Sequence, residues 1–261
     1  LVAKTVEVNG TKIAYLMYNG FTNSYNEQLN TVFGQFKTAG ATELVLDLRY
    51  NPGGSVNSSR LLASMVYGTN TSELYVRQRW NDKIQSMLNK EQLEDYFANK
   101  TDSGTALNSL NLNKVYVLAT GSSASASELV MNGLAPYVNV FHIGETTRGK
   151  NEFSVTMVDD IDNDYIYRSD RENKINPSNR WAMQPLMGRN ENSEGFSDYT
   201  LGLTPDVVLA EDLADLGVLG EINEPLFARA IQEITGVSAK KDFSVKMPVN
   251  EISNSKMFTP L

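Results

Sequence analysis

Cysteine is absent from the 261 residues, which excludes disulfides, thiolate nucleophiles and cysteine-ligated zinc. Histidine is almost absent: His142 is the only one. A Ser-His-Asp triad would have to use that residue, and metal motifs built on two histidines are impossible. No apolar run approaches the ~20 residues that span a bilayer. Positive charge is in deficit, with 23 Lys and Arg against 31 Asp and Glu and a formal net charge of −8. Nucleic acid and anionic membrane surfaces call for a basic face, so neither is expected as a partner. What remains is an ordinary globular composition, 41% hydrophobic and 21% charged, long enough for one substantial core.

The patterning is α/β. Two alternating runs in residues 2–18 flank Asn9-Gly10, the strongest short hairpin signal. Leu29, Val32, Phe33 and Phe36 share a helical face in residues 25–39, and Gly40 is a helix stop. Residues 43–48 hold the apolar run of a buried parallel strand, Asn51-Pro52-Gly53-Gly54 breaks it, and residues 56–67 resume as helix. Residues 74–80 and 115–121 read as strands, 128–137 as a helix and 138–143 as another strand. Residues 81–113 are polar and helix-prone, and predict a small helical insertion or cap. Residues 153–168 predict a hairpin with the acidic tip Asp159–Asp164, a solvated turn lacking the glycine and distal glutamate of an EF-hand. Residues 170–200 read as loops, with an exposed GFSDYT. A short strand in 202–209, an amphipathic helix over 224–236 and a polar tail over 238–261 complete a single domain. The strand pattern starts almost at Leu1, as expected of a fragment cut from a longer precursor.

The chemistry concentrates in GSSASASELVMNGLAPYVNVFHIGETTRGK, residues 121–150. A serine hydroxyl needs a base to become nucleophilic, and a lysine can serve once its ammonium form is disfavoured. Ser125 sits where a strand gives way to a helix, and a helix start offers free N–H groups to an oxyanion. The Ala126 amide is then a first oxyanion donor. The Gly53-Gly54 turn is the natural source of a second, because glycine lets backbone approach a ligand closely. Each element also has an ordinary explanation: a helix cap for the serines, with Ser127 the better N-cap beside Glu128, a plain turn for the glycines, a solvated Lys150, and a packed His142.

Four segments in order, DLRYNPGG (47–54), SASASE (123–128), GETTRGK (144–150) and GLTPD (202–206), closely resemble the C-terminal processing peptidases, or tail-specific proteases. The resemblance implies a ClpP/crotonase-like α/β core. It implies Ser125 as nucleophile, Lys150 as base, and the backbone amides of Ala126 and of Gly53 or Gly54 as oxyanion donors, with no metal and no cofactor. The implied substrate is a protein or peptide with an accessible C-terminal region. The stretch 180–206 resembles a Bacteroidetes variant of the family, which implies a periplasmic or cell-surface setting, lipid-anchored in some precursors. Two departures stand out. Ser154 occupies the place of a glutamine that often follows the lysine by four residues and orients it, leaving Asn151 and Glu152 as nearby substitutes. No PDZ domain precedes the core in this chain. The alternative is a non-catalytic ligand- or peptide-binding module on the same fold. A crotonase-like enzyme acting on a CoA thioester is a third reading, disfavoured by the acidic composition.

Overall fold

The computed structural model describes residues 1–237; the tail expected over 238–261 lies outside the described residues. Val2–Val8 (β1) and Thr11–Met17 (β2) pair as the expected antiparallel hairpin. Asn9 and Gly10 between them both take positive φ, 51° and 77°, as an Asn-Gly hairpin turn requires. Helix α1 (Asn26–Ala39) buries Leu29, Val32, Phe33 and Phe36, and ends on Gly40 in the left-handed conformation. Strand β3 (Glu43–Asp47) and helix α2 (Val56–Val66) follow.

Beyond β4 (Leu74–Trp80), the stretch 81–113 holds less helix than its composition suggests. It has two single turns, α3 (Asp82–Gln85) and α4 (Lys90–Leu93), then a short strand β5 (Glu94–Tyr96). Its remainder is an irregular cover. Phe97 and Ala98 are buried, Asn108 bonds to Asn30 on α1, and the Leu110 and Leu112 amides donate to carbonyls of α2. The core resumes with β6 (Lys114–Ala119), α5 (Ala126–Leu134) and β7 (Asn139–Gly144).

After β7 come β8 (Glu152–Ser154), β9 (Leu186–Glu191), β10 (Val207–Val208) and α6 (Pro225–Thr235). Strand β9 was not apparent in the sequence, which read 170–200 as loops; its alternation is obscured by Gly188 and by charged residues on one face. Nor is all of GFSDYT exposed, since Tyr199 is buried. The hairpin expected over 153–168 is present as a ladder fragment joining Met157 to Ile166 and Val158 to Tyr165. At its tip Asp160 is buried and accepts both Arg171 Nε and Nη2 at 2.8 Å.

Two sheets result. The larger runs β1-β2-β3-β6-β7-β10, parallel throughout except for the β1–β2 hairpin. The smaller is antiparallel, β5-β4-β9-β8. Strand alternation divides the larger sheet's side chains between two layers. Leu44, Leu46, Val115, Val117 and Ala119 pack with α1, α2 and α5. Ile13, Tyr15, Val45, Tyr116, Leu118 and Ile143 pack with Leu226, Phe227, Ala230 and Ile231 of α6. A sheet covered on both faces reads as continuous apolar runs, as β3 and β6 do.

A buried ion cluster ties β3 to α6. Arg49 is fully buried and donates to Asp47 Oδ2 and Glu224 Oε1, each at 2.8 Å. Tyr15 Oη donates to Asp47 at 2.6 Å. Glu224 also caps α6 by accepting the Phe227 amide at 2.8 Å. Arg49→Met should leave two buried carboxylates without their cation and cost about 3–5 kcal/mol. Urea unfolding at neutral pH measures it, and an unchanged midpoint would contradict it.

Candidate active site

The loops after β3, β6 and β7 lie side by side, because these strands are neighbours in one parallel sheet. The carboxyl ends of such strands form the usual crevice of an open α/β sheet. Ser125 is the N-cap of α5 and half-buried. Its backbone sits at φ 57°, ψ −113°, a sparsely populated conformation for a residue with a Cβ. Ala126 opens the helix, and its amide has no partner among the described residues. Ser127 is not the N-cap the sequence suggested. It is the second residue of the helix, fully buried, where its hydroxyl donates to the Asn51 carbonyl at 2.8 Å.

Glu128 organises the crevice. It is fully buried and accepts four hydrogen bonds. Oε2 takes the backbone amides of Ser125 and Lys150, both at 2.9 Å. Oε1 takes the Thr147 hydroxyl and the Gly149 amide, both at 2.6 Å. Sharing one oxygen places the Ser125 and Lys150 nitrogens within about 6 Å of each other, twice a hydrogen-bond length. Among the described residues no lysine or arginine pairs with this carboxylate.

The turn at 51–54 closes the crevice from the β3 side. Asn51 is fully buried; its carbonyl accepts the Ala124 amide at 3.1 Å, and its Nδ2 donates to Tyr18 O at 2.7 Å. Gly53 has φ 105°, and a Cβ there would come within 2.7 Å of both Ala124 O and Ser125 Cβ. Only glycine allows this approach. The two candidate amides differ. That of Gly53 donates to Asn51 Oδ1 at 2.9 Å, whereas that of Gly54 has no partner among the described residues.

Lys150 is exposed, and its Nζ makes no hydrogen bond or ion pair among the described residues. It makes no hydrogen bond to Ser125 Oγ. Its loop is pinned by the segment 197–203. A Cβ on Gly149 would lie 2.3 Å from Thr200 O, the Leu203 amide donates to Thr147 Oγ1 at 2.7 Å, and Asn151 Nδ2 donates to Ser197 O. Asn151 thus spends its Nδ2 on that segment, while its Oδ1 is buried with no partner among the described residues. Ser154 is exposed. Glu152, half-buried, begins β8 two residues after Lys150.

His142 is buried away from this cluster. Its Nε2 lies 3.4 Å from Ala119 O, its amide donates to Asp206 Oδ2 at 2.8 Å, and Nδ1 has no partner among the described residues. It is packed, as expected, with one ring nitrogen left unsatisfied. Of the residues at this site, Asn51 and Thr147 were not singled out from sequence, although both fall inside the quoted motifs.

The fold and the ordered motifs define a member of peptidase family S41, whose family model matches residues 12–207. The chain belongs to that family. It is 29% identical over 147 residues to a carboxyl-terminal-processing protease of Picosynechococcus sp., a match covering 56% of this chain and 31% of the relative. A solved Bacteroides fragilis structure assigned to the S41 proteases superposes with a TM-score of 0.74 at 30% identity, over 91% of this chain and 58% of that one. The photosystem II D1 C-terminal processing protease shares the fold, with a TM-score of 0.54 at 19% identity, over 78% and 44%. The chain thus spans about a third to three-fifths of the length of these proteins. The likeness is consistent with a ClpP/crotonase-like α/β core.

Two outcomes follow from this geometry. Glu128→Gln turns an NH2 toward amide donors, and each donor left unsatisfied costs roughly 1–3 kcal/mol. Denaturant unfolding should show that loss, and equal stability would contradict the four-donor arrangement. Burial pushes His142 below its ordinary 6.5, so the folded state holds it neutral. Its contribution is fully present above that pH and is lost as acid protonates the unfolded chain more readily. Between about pH 7.5 and 5.5 the melting temperature of His142→Gln should fall less than that of the wild type. Parallel curves would show that His142 does not titrate differently on folding.

Proposed function

We propose that the chain is a serine peptidase that uses Ser125 and Lys150 to cut proteins near exposed or unstructured C-terminal regions. The carrying observation is the shared carboxylate: Glu128 Oε2 holds the amides of both residues at 2.9 Å. In this mechanism Ser125 Oγ bonds to the scissile carbonyl carbon while its proton passes to Lys150 Nζ. The oxyanion is received by the Ala126 amide and the Gly53-Gly54 turn, where the Gly54 amide is the one free of an internal partner. The tetrahedral intermediate collapses as Lys150 returns the proton to the leaving amine. A water molecule then repeats the sequence on the acyl-enzyme.

Lys150 must be neutral to act. No carboxylate pairs with its amine among the described residues, and a bound substrate would strip water from it. The name of the Picosynechococcus relative supports a protein substrate processed at its carboxyl end. The family resemblance supports a periplasmic or cell-surface setting; no helix among the described residues is long and apolar enough to cross a membrane.

Ser125→Ala and Lys150→Ala should each lower turnover of an unfolded protein substrate by at least ~10²-fold, the scale of general-base catalysis, with thermal unfolding nearly unchanged. Activity should rise with pH, because the deprotonated amine is the active form. Full turnover by Lys150→Ala would remove the dyad. The exposed, unbonded Lys150 favours a second reading, a binding module that performs no chemistry. A serine-reactive phosphonate separates the two, labelling Ser125 in an enzyme and leaving a binder unmodified.

A further inference from the structure

The smaller sheet carries an unusual concentration of arginine beside Lys150. Strand β8 begins two residues after that lysine, and its register sets Glu152 opposite Arg189 of β9, which in turn lies opposite Arg79 of β4. Pairing continues toward the lysine, since the Asn190 amide donates to Asn151 O at 3.2 Å. Alternation then puts Glu152, Arg189, Glu191, Arg77 and Arg79 on one face, two residues along the chain from Lys150. Trp80 and Phe153 occupy the other face and pack edge to face, 4.7 Å apart.

Two guanidinium groups directly opposite on a ladder repel each other, and their compensation is incomplete. Glu191 is buried and shared, accepting Arg79 Nε at 2.9 Å and Arg77 Nη1 at 3.0 Å. Arg77 has a second partner in Glu94 at 2.8 Å. Among the described residues the ion-pair partner of Arg189 is Glu152, whose Oε1 lies 4.0 Å from Nη2, beyond hydrogen-bond length. The side chains of Arg79 and Arg189 are 54% and 50% exposed. Neither arginine makes an Nη hydrogen bond among the described residues, in a chain whose net charge is −8.

We propose that Arg79 and Arg189 anchor the free α-carboxylate at the end of a substrate chain. The proposal rests on the peptidase reading above and names how the end of the substrate is recognised. A planar carboxylate matches guanidinium forks in charge and shape. Position points to the chain terminus. Arg189 lies directly opposite Glu152, two residues along the chain from Lys150. At about 3.3 Å per extended residue, a carboxylate held there lies only a few residues beyond the bond facing Ser125. β8 is also the edge of its sheet, with one side open to an extended chain.

The test reads binding, so that it does not depend on catalysis. Ser125→Ala protein is titrated into a fluorescein-labelled peptide bearing either a free C-terminal carboxylate or a C-terminal amide. The free acid should bind about 10-fold more tightly, a difference of one charge-assisted contact. Arg79→Gln/Arg189→Gln on the same background should erase the difference, and Arg189→Lys should keep part of it. Circular dichroism melts confirm that each variant is folded. Equal binding of acid and amide, including none, overturns the anchor, as does discrimination that survives the double substitution. An amidated peptide with a phosphoserine near its end that binds as well as the free acid would show a general anion site and overturn the assignment to the terminus. If the free acid binds selectively while the wild type cleaves nothing, the peptidase reading fails and the anchor stands.

Discussion

A buried carboxylate held only by neutral donors fixes the geometry of this site. A carboxylate removed from water normally demands a cation. Glu128 instead receives two backbone amides from the Lys150 loop, one from Ser125 and one hydroxyl. Hydrogen bonds to a charged acceptor are the stronger kind, and four of them replace the missing solvent. The arrangement matters because the serine and lysine stand on different loops, with no side-chain bond between them. One backbone bond joins the two loops directly, from the Arg148 amide to the Ser123 carbonyl at 3.0 Å; Glu128 adds the bonds that reach Ser125 and Lys150 themselves.

The glycine turn at 51–54 depends on the same helix. Ala124 and Ser127, on either side of the serine, both donate to the Asn51 carbonyl. Asn51 in turn braces the turn through its own side chain. The turn is therefore tied to the start of α5, the helix that Ser125 caps. From behind, Arg49 locks the end of β3 to Glu224 at the start of α6. A helix on the far face of the sheet thereby steadies the approach to the crevice.

The sequence made the parallel core plain because its strands are buried on both faces and its turns carry glycine. Leu44–Leu48, the NPGG break and the helix after it could hardly be arranged otherwise. The four ordered motifs likewise marked Ser125, Lys150 and the glycine turn. The smaller sheet was less apparent. Strand β8 is three residues long, and β9 alternates charge with glycine and asparagine, so neither has the apolar period by which strands are recognised. Glu128 was visible as a letter in a motif, but its role was not. Four donors from two distant segments are a tertiary fact that spacing alone cannot encode. Ser127 misled for a related reason: next to an acid it resembles a cap, and only the fold reveals that Asn51 needs its hydroxyl.

Ser125 stands at φ 57°, where glycine or asparagine would rest more easily. Such a conformation costs on the order of 1–3 kcal/mol when a Cβ is present. Stability alone would therefore push this position toward glycine under random substitution. A scaffold that had given up chemistry and kept only its shape would gain by making that exchange. The serine at this position therefore carries a backbone strain that glycine would release.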